Sequence, residues 1–290
     1  MKPRGTHPRT GHRILITAAA CALALATLFA SADQDASGTG GPGGDDEKAR
    51  AAELAKATMN PLASLISLPL QSNFDWGAGP NDDGFQYKLT VQPVIPVSLS
   101  EDWNLISRTI LPFVYQEDII GTSSQSGLAD TVQSLFFSPV HPTKHGWIWG
   151  AGPVLQIPTA TDDLLGEEQW GAGPTAVALK QQGLLTYGVL FNHTWSFAGE
   201  ARRADVNRTF LQPFASCTTR TLTSFGLNTE STYDWQRSQW TVPINVYVQQ
   251  LLKVGRQPIS LQLGGRYYAE GPSGAPEWGL RLQISFLFAK

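Results

Sequence analysis

From Gln71 to the C-terminus, apolar and polar residues alternate with a period of two in segments of about ten residues, each bounded by turn residues. This constrains the fold more than any other feature. The last segment shows it best, with Trp278, Leu280, Leu282, Ile284, Phe286 and Phe288 on one face and Gly279, Arg281, Gln283 and Ser285 on the other. A half-buried strand of a water-soluble sheet shares that pattern, but a large apolar face ending in aromatics suits contact with lipid and its interfacial girdle. Trp240, Val242, Ile244, Val246 and Val248 alternate in the same way with Thr241, Asn245 and Gln249. Ile259, Leu261 and Leu263 alternate with Ser260, Gln262 and Arg266.

Reading back from these three segments predicts strands over 71–79, 84–97, 102–115, 127–139, 146–158, 168–180, 183–197, 205–217, 220–233, 238–252, 257–270 and 277–288. About 12 is an even number, as bacterial barrels require. The predicted fold is all-β: a closed antiparallel transmembrane β-barrel of about 12 strands, 71–290, with a short N-terminal helical segment. The connections form two sets. Longer ones, expected outside, are Gly79 to Gly84, Gln116 to Gly127, Thr159 to Glu168, Phe197 to Asp205, Glu230 to Ser238 and Glu270 to Pro276. Mostly tighter ones, expected on the periplasmic side, fall near Ser98, Val140, Lys180, Cys217 and Lys253. Charge follows the division: Asp82, Asp83, Glu117, Asp118, Asp162, Asp163, Glu167 and Glu168 lie in the first set, and Lys144, Lys180, Arg220, Lys253 and Arg256 in the second.

The N-terminus explains how such a chain reaches a membrane. Lys2, Arg4, Arg9 and Arg13 precede an apolar run from Ile14 to Ala30 that ends in Ala30-Ser31-Ala32, the pattern of a signal peptide (1–32) cleaved near Ala32. A lipidated Cys21 is the rival reading, but Cys21 follows Arg13 too closely to leave a normal apolar region. Without the leader, 21 − 4 = 17 basic residues face 24 acidic ones, so no basic character points to nucleic acid. Cys217 then has no partner for a disulfide. Residues 33–46 form a Gly-, Ser- and Asp-rich flexible leader. Residues 47–70 read as a short helical segment: strong helix formers from Glu47 to Ala57, a break at Asn60-Pro61, then Leu62, Leu65 and Ile66 at helical spacing. Two readings stand for it, a periplasmic helix or a plug in the barrel mouth.

Inward-facing positions are expected at Lys88, Gln92, Arg108, Gln156, Asn192, Asn245, Arg266, Arg281 and Gln283. These would set the polarity of a solute path or pair with one another to fill a narrow barrel. Trp-Gly-Ala-Gly-Pro occurs at Trp76 to Pro80, Trp149 to Pro153 and Trp170 to Pro174. In the last two copies Gly150, Gly152, Gly171 and Gly173 leave a bare patch on the lumen wall, which serves either curvature or a groove for substrate or plug. No catalytic set is expected. His193 is the one histidine within a strand and shares the apolar face with Phe191 and Trp195. His141 and His145 have no third ligand beside them, and the Asp162, Asp163, Glu167, Glu168 cluster reads as solvated loop charge before a Ca²⁺ or lipopolysaccharide-bridging site. Neither a metal nor a cofactor is expected.

Several stretches resemble one family. Leu54-Ala-Lys-Ala-Thr-Met-Asn-Pro61, Leu65-Ile-Ser-Leu-Pro69, Asn81-Asp-Asp-Gly84, Gln92-Pro-Val-Ile-Pro96, Glu101-Asp-Trp-Asn-Leu-Ile-Ser-Arg-Thr-Ile-Leu-Pro112, Pro158-Thr-Ala-Thr-Asp-Asp163 and Trp195-Ser-Phe-Ala-Gly199 are similar to the outer-membrane family linked to the meta pathway of phenol degradation. Its members are labelled transporters or, misleadingly, neuromedin U. The resemblance spans Leu54 to the end and transfers no site residues. It implies a porin-like barrel of the Gram-negative outer membrane that passes small hydrophobic or aromatic molecules without chemical change. The implied partners are outer-membrane lipid and lipopolysaccharide, the barrel-assembly machinery and a small-molecule solute. A non-conducting structural or surface-binding barrel is the alternative. One departure is at the C-terminus, where Phe288 is followed by Ala289-Lys290 although assembly signals usually end in an aromatic residue; the Gly279-x-x-Leu282-x-Ile284 core is intact.

Overall fold

The computed structural model describes residues 42–121 and 123–288. The signal peptide, most of the flexible leader and the final Ala289-Lys290 lie outside the described residues. Helix α1 (Pro42–Ala57) comes first. It is followed by fifteen strand segments: β1 (Ile66–Ala78), β2 (Gly84–Val91), β3 (Val94–Ser98), β4 (Trp103–Glu117), β5 (Ser124–Leu128), β6 (Thr131–Pro139), β7 (Trp147–Ile157), β8 (Gln169–Gln182), β9 (Leu185–Gly199), β10 (Asn207–Thr218), β11 (Thr223–Thr229), β12 (Ser231–Asp234), β13 (Gln239–Val254), β14 (Gln257–Glu270) and β15 (Trp278–Phe288). No helix among the described residues is long and apolar enough to cross a membrane.

Three neighbouring pairs of segments are single strands with an interruption, which leaves twelve barrel strands. Between β2 and β3 stands Pro93, which has no N–H to give the ladder. Between β5 and β6, Asp130 turns its carboxylate onto the backbone N–H groups of Ala160 and Glu167, at 3.3 and 2.8 Å, and so anchors an outer loop. Between β11 and β12, Glu230 lies opposite a bulge at Val242/Pro243. Every consecutive pair is antiparallel, and β15 closes on β1 from Ile66↔Phe288 to Trp76↔Trp278. A closed meander leaves no unpaired edge, and with a spanning helix absent from the described residues only a closed sheet satisfies backbone polar groups in hydrocarbon.

The alternation holds where it is clearest. Leu280, Leu282, Ile284 and Phe288 are exposed on the outer surface while Arg281, Ser285 and Leu287 are buried in the interior. In β13, Ile244 and Val246 are exposed while Asn245, Gln249 and Leu251 are buried. The nine tryptophans mark two levels. Trp76, Trp170, Trp195, Trp235, Trp240 and Trp278 lie toward the outer-loop ends of their strands, and Trp103, Trp147 and Trp149 toward the opposite ends. Trp76 stacks on Trp278 at 4.7 Å and Trp103 meets Trp149 edge-on at 6.0 Å. Two such belts are the pattern that headgroup interfaces select.

Two boundaries differ from the sequence reading. The first strand starts at Ile66 and not at Gln71, so Leu62, Leu65 and Ile66 do not continue a helix; Asn60 turns the chain instead, its Oδ1 accepting from the Leu62 N–H at 2.9 Å. The helix begins at Pro42, ahead of Glu47. Glu230, which the sequence reading placed both in strand 220–233 and at the start of a loop, lies within the barrel wall and faces inward, and the strand resumes to Asp234.

Candidate lumen and N-terminal plug

Inside the barrel the two halves of the wall differ. Strands β4 and β6 to β9 contribute an apolar side, where Ile106, Phe136, Val177, Leu179 and Leu190 are buried together. The side from β11 to β15 and on to β2 is polar and carries most of the charges, joined by Arg108 of β4, two residues along the same face from Ile106. Arg281 of β15 is 3% exposed, donates from both terminal nitrogens to the Glu230 carboxylate at 2.9 and 2.7 Å, and from Nε to Asn73 Oδ1 at 2.7 Å. Arg266 of β14 lies 3.3 Å from Asp75 and 3.7 Å from Glu230, with its guanidinium 5.4 Å from the Tyr268 ring. Fork-shaped guanidinium groups held by carboxylates on neighbouring strands fix both position and rotamer. Arg108 of β4 donates to the Gln92 side-chain oxygen at 2.9 Å. Lys88 faces the same belt and feels Asp75, Glu230 and both arginines electrostatically. Four basic side chains therefore face two acidic ones, Asp75 and Glu230, a formal excess of two positive charges.

The expected inward positions divide into three groups. Arg108, Gln92, Arg281 and Gln283 line one cavity of about 230 Å³. Lys88 and Arg266 sit in the charged belt, and Asn245, 2% exposed, donates to Asn228 Oδ1 at 2.7 Å. Gln156 and Asn192 lie apart from that belt. Gln156 reaches Asp130 at 3.5 Å beneath the outer loop, and Asn192 lies opposite Thr175 and Phe210. The sequence reading missed both acids. Their parity was visible: Asp75 follows Gln71 and Asn73 at steps of two, and Glu230 continues Gly226 and Asn228 toward Thr232.

The end of α1 and the segment after it lie against this lumen. Leu62 is 5% exposed and packs into the apolar side. Thr58 accepts from Gln249 at 2.9 Å, Ser64 from Asn104 at 3.3 Å and the Lys56 carbonyl from Gln181 at 2.9 Å, so the segment touches β4, β8 and β13. Ala55 is buried with Leu251 and Leu287.

The repeated glycines have separate uses. A Cβ on Gly150 would stand 3.1 Å from a Leu62 methyl and 3.3 Å from Phe136, so this glycine makes room for the inserted segment. Gly152 and Gly173 lie where the Leu135 and His193 carbonyls close on the backbone, and Gly171 packs against Thr194 and Gln156. Pro153 pairs with Pro174 across β7 and β8. Neither offers an N–H to β6 or β9, and those two ladders skip residues at the same level, between Ser134/Phe137 and between Ala172/Thr175. In the first copy, Gly77 and Gly79 have positive φ of 74° and 82° and shape the outer rim.

In the loop between β7 and β8, Glu167 pairs with Arg208, Glu168 lies 3.8 Å from Arg203 and Asp162 caps the Leu164 N–H at 2.9 Å, so the acidic loop spends much of its charge internally. His193 faces outward, 2.7 Å from Thr209 and 4.0 Å from the Trp195 ring. Among the described residues no three His, Cys, Asp or Glu gather as a metal set.

No family model and no curated protein matches the sequence. Solved structures do resemble the fold. The crystal structure of an outer membrane channel from Pseudomonas putida F1 aligns with a TM-score of 0.60 at 15% identity, covering 78% of this chain and 96% of that one. The translocator domain of the autotransporter NalP from Neisseria meningitidis aligns at 0.42 and 11% identity over 84% and 96%, and a KdgM porin in complex with disordered oligogalacturonate at 0.41 and 10% over 77% and 99%. The first shows that the chain has the fold of an outer-membrane β-barrel.

Proposed function

We propose that this chain is a channel of the bacterial outer membrane, exported with a cleaved signal peptide, that passes small hydrophobic or aromatic molecules without chemical change. The observation that carries the reading is the two-sided lumen, apolar along β6 to β9 and at Ile106 of β4 and charged opposite and at Arg108, into which a segment held by non-covalent contacts intrudes. A barrel meant only as a wall gains nothing from a desolvated belt of six charged side chains, because ion pairs taken from water stabilise less than apolar packing of equal volume. The likeness to the Pseudomonas putida channel and the resemblance to the phenol meta-pathway family support the same role. Thr58 to Leu65 acts as a plug, and solute passes when it is displaced. The alternative, a non-conducting structural or surface-binding barrel, is favoured by the burial of Leu62 and Ala55, which holds the plug in place.

The test is conductance of the mature protein in planar bilayers with aromatic and anionic solutes added in turn, repeated on a variant lacking Ala49 to Ser64. Discrete steps blocked by one solute class support the channel. An inserted, heat-modifiable barrel that conducts neither with nor without the segment overturns it.

A further inference from the structure

Among the lumen cations, Arg108 differs from the rest. Arg281 and Arg266 are held by carboxylates, whereas among the described residues the hydrogen-bond partner of the Arg108 guanidinium is the neutral amide oxygen of Gln92. The carboxylate whose charge reaches it, Glu230, is already engaged by both terminal nitrogens of Arg281 and lies 3.7 Å from Arg266. A guanidinium has five N–H donors in a planar fork that matches a carboxylate, and Gln92 occupies one.

Arg108 lines the cavity between the charged belt and the plug segment, and on the same cavity Leu190 and Phe214 offer an apolar surface. At about 230 Å³ this space is smaller than the roughly 300 to 1,000 Å³ of sites for drug-sized ligands, and it suits one ring or a short chain. We propose that the cavity is a binding site for a small organic monocarboxylate, its carboxylate on Arg108 and its apolar body against Leu190 and Phe214. The excess positive charge of the belt raises the local concentration of such an anion and orients it. The inference rests on the channel reading for its biological sense and names the solute class of that path.

The experiment measures dissociation constants of the purified full-length mature protein in detergent, by calorimetry, for benzoate, its neutral isostere benzamide and acetate. Benzoate is expected to bind on the order of tenfold more tightly than either, since a charge-assisted hydrogen bond and the ring burial each contribute about that factor. Arg108→Gln should remove the preference for benzoate over benzamide, and Arg108→Lys should keep part of it, with heat-modifiable mobility reporting that each variant is folded. Equal binding of benzoate and benzamide by the unmodified protein overturns the site, and acetate binding as tightly as benzoate overturns the apolar subsite. A preference that survives in a protein without conductance supports the site while removing the channel.

Discussion

Replacing Leu62 with alanine should loosen the plug without loosening the barrel. Leu62 is 5% exposed and contributes to a cluster with Ile106, Phe136, Val177, Leu179 and Leu190, all of which belong to the wall. Leu62 itself does not belong to any strand, so its loss acts on the docking equilibrium of the segment more than on closure of the sheet. Burying a leucine side chain is worth about 1.5 to 3 kcal/mol, and truncation to alanine inside a packed site costs about 2 to 5 kcal/mol. Taking about 2 to 3 kcal/mol for a segment free to move away, the ratio of displaced to docked plug rises by roughly 30- to 150-fold. Single-channel recording on the mature variant reads this directly as the fraction of time spent in the highest-conductance level. The expected result is a rise of at least tenfold in that fraction, with the level itself unchanged because the barrel is the same. Gly150→Ala approaches the contact from the wall, placing a methyl 3.1 Å from Leu62, and should shift the fraction in the same direction by less. A Leu62→Ala protein with unaltered heat-modifiability and an unaltered open fraction would refute the view that this contact closes the path.

Arg281→Ala leaves Glu230 without its bidentate partner and Asn73 without its donor, and should lower barrel stability by about 3 kcal/mol in urea unfolding; pairing it with Glu230→Gln should recover part of the loss, since no lone carboxylate then remains. Gly173→Ala drives a methyl into the His193 carbonyl and should cost about 1 to 3 kcal/mol, accompanied by faster amide exchange along β8 and β9. The two faces of β15 separate in a single comparison: Leu282→Arg on the lipid face should cost about 2 to 4 kcal/mol in folding free energy measured in lipid vesicles, whereas Gln283→Arg on the lumen face should change stability by less than about 1 kcal/mol.

What the sequence made legible was whatever depends on parity and on turns. Alternation separates Arg281 and Gln283 from Leu280 and Leu282 without any knowledge of neighbours, and the turn residues delimit twelve strands because a barrel strand must end where the membrane does. Glu230 escaped because its charge in a sequence of outward loops looks like solvent, although its parity with Asn228 points inward. The start of β1 escaped for a related reason: Leu65 and Ile66 fit a helical stripe and a strand equally well in so short a run, and only pairing with Phe288 decides between them. The partners of Leu62 lie far along the chain in several strands, so no local pattern contains them.

The triple Trp-Gly-Ala-Gly-Pro shows why a repeated motif does not imply a repeated use. Its glycines meet different neighbours: Gly150 faces Leu62 of the inserted segment, while Gly152 and Gly173 meet the backbone of the adjoining strands. What brings these uses together is register. With β7 and β8 antiparallel, the two prolines fall opposite one another, and each turns the side of the strand that lacks a donor toward the strand beyond. The wall then lacks ladder pairs beside the site where Leu62 inserts, and Phe136 connects the two, since it packs on Leu62 and belongs to the stretch of β6 that the ladder to β7 skips. A segment that leaves this groove withdraws packing from a part of the wall where two ladders are interrupted. Amide exchange in β6 and β9 should therefore quicken when the plug is loosened by Leu62→Ala, and stay slow in β14 and β15, where the ladder is continuous over nine residue pairs. Equal acceleration around the whole barrel would mean that the plug stabilises the sheet globally and that the proline pair has no special part in it.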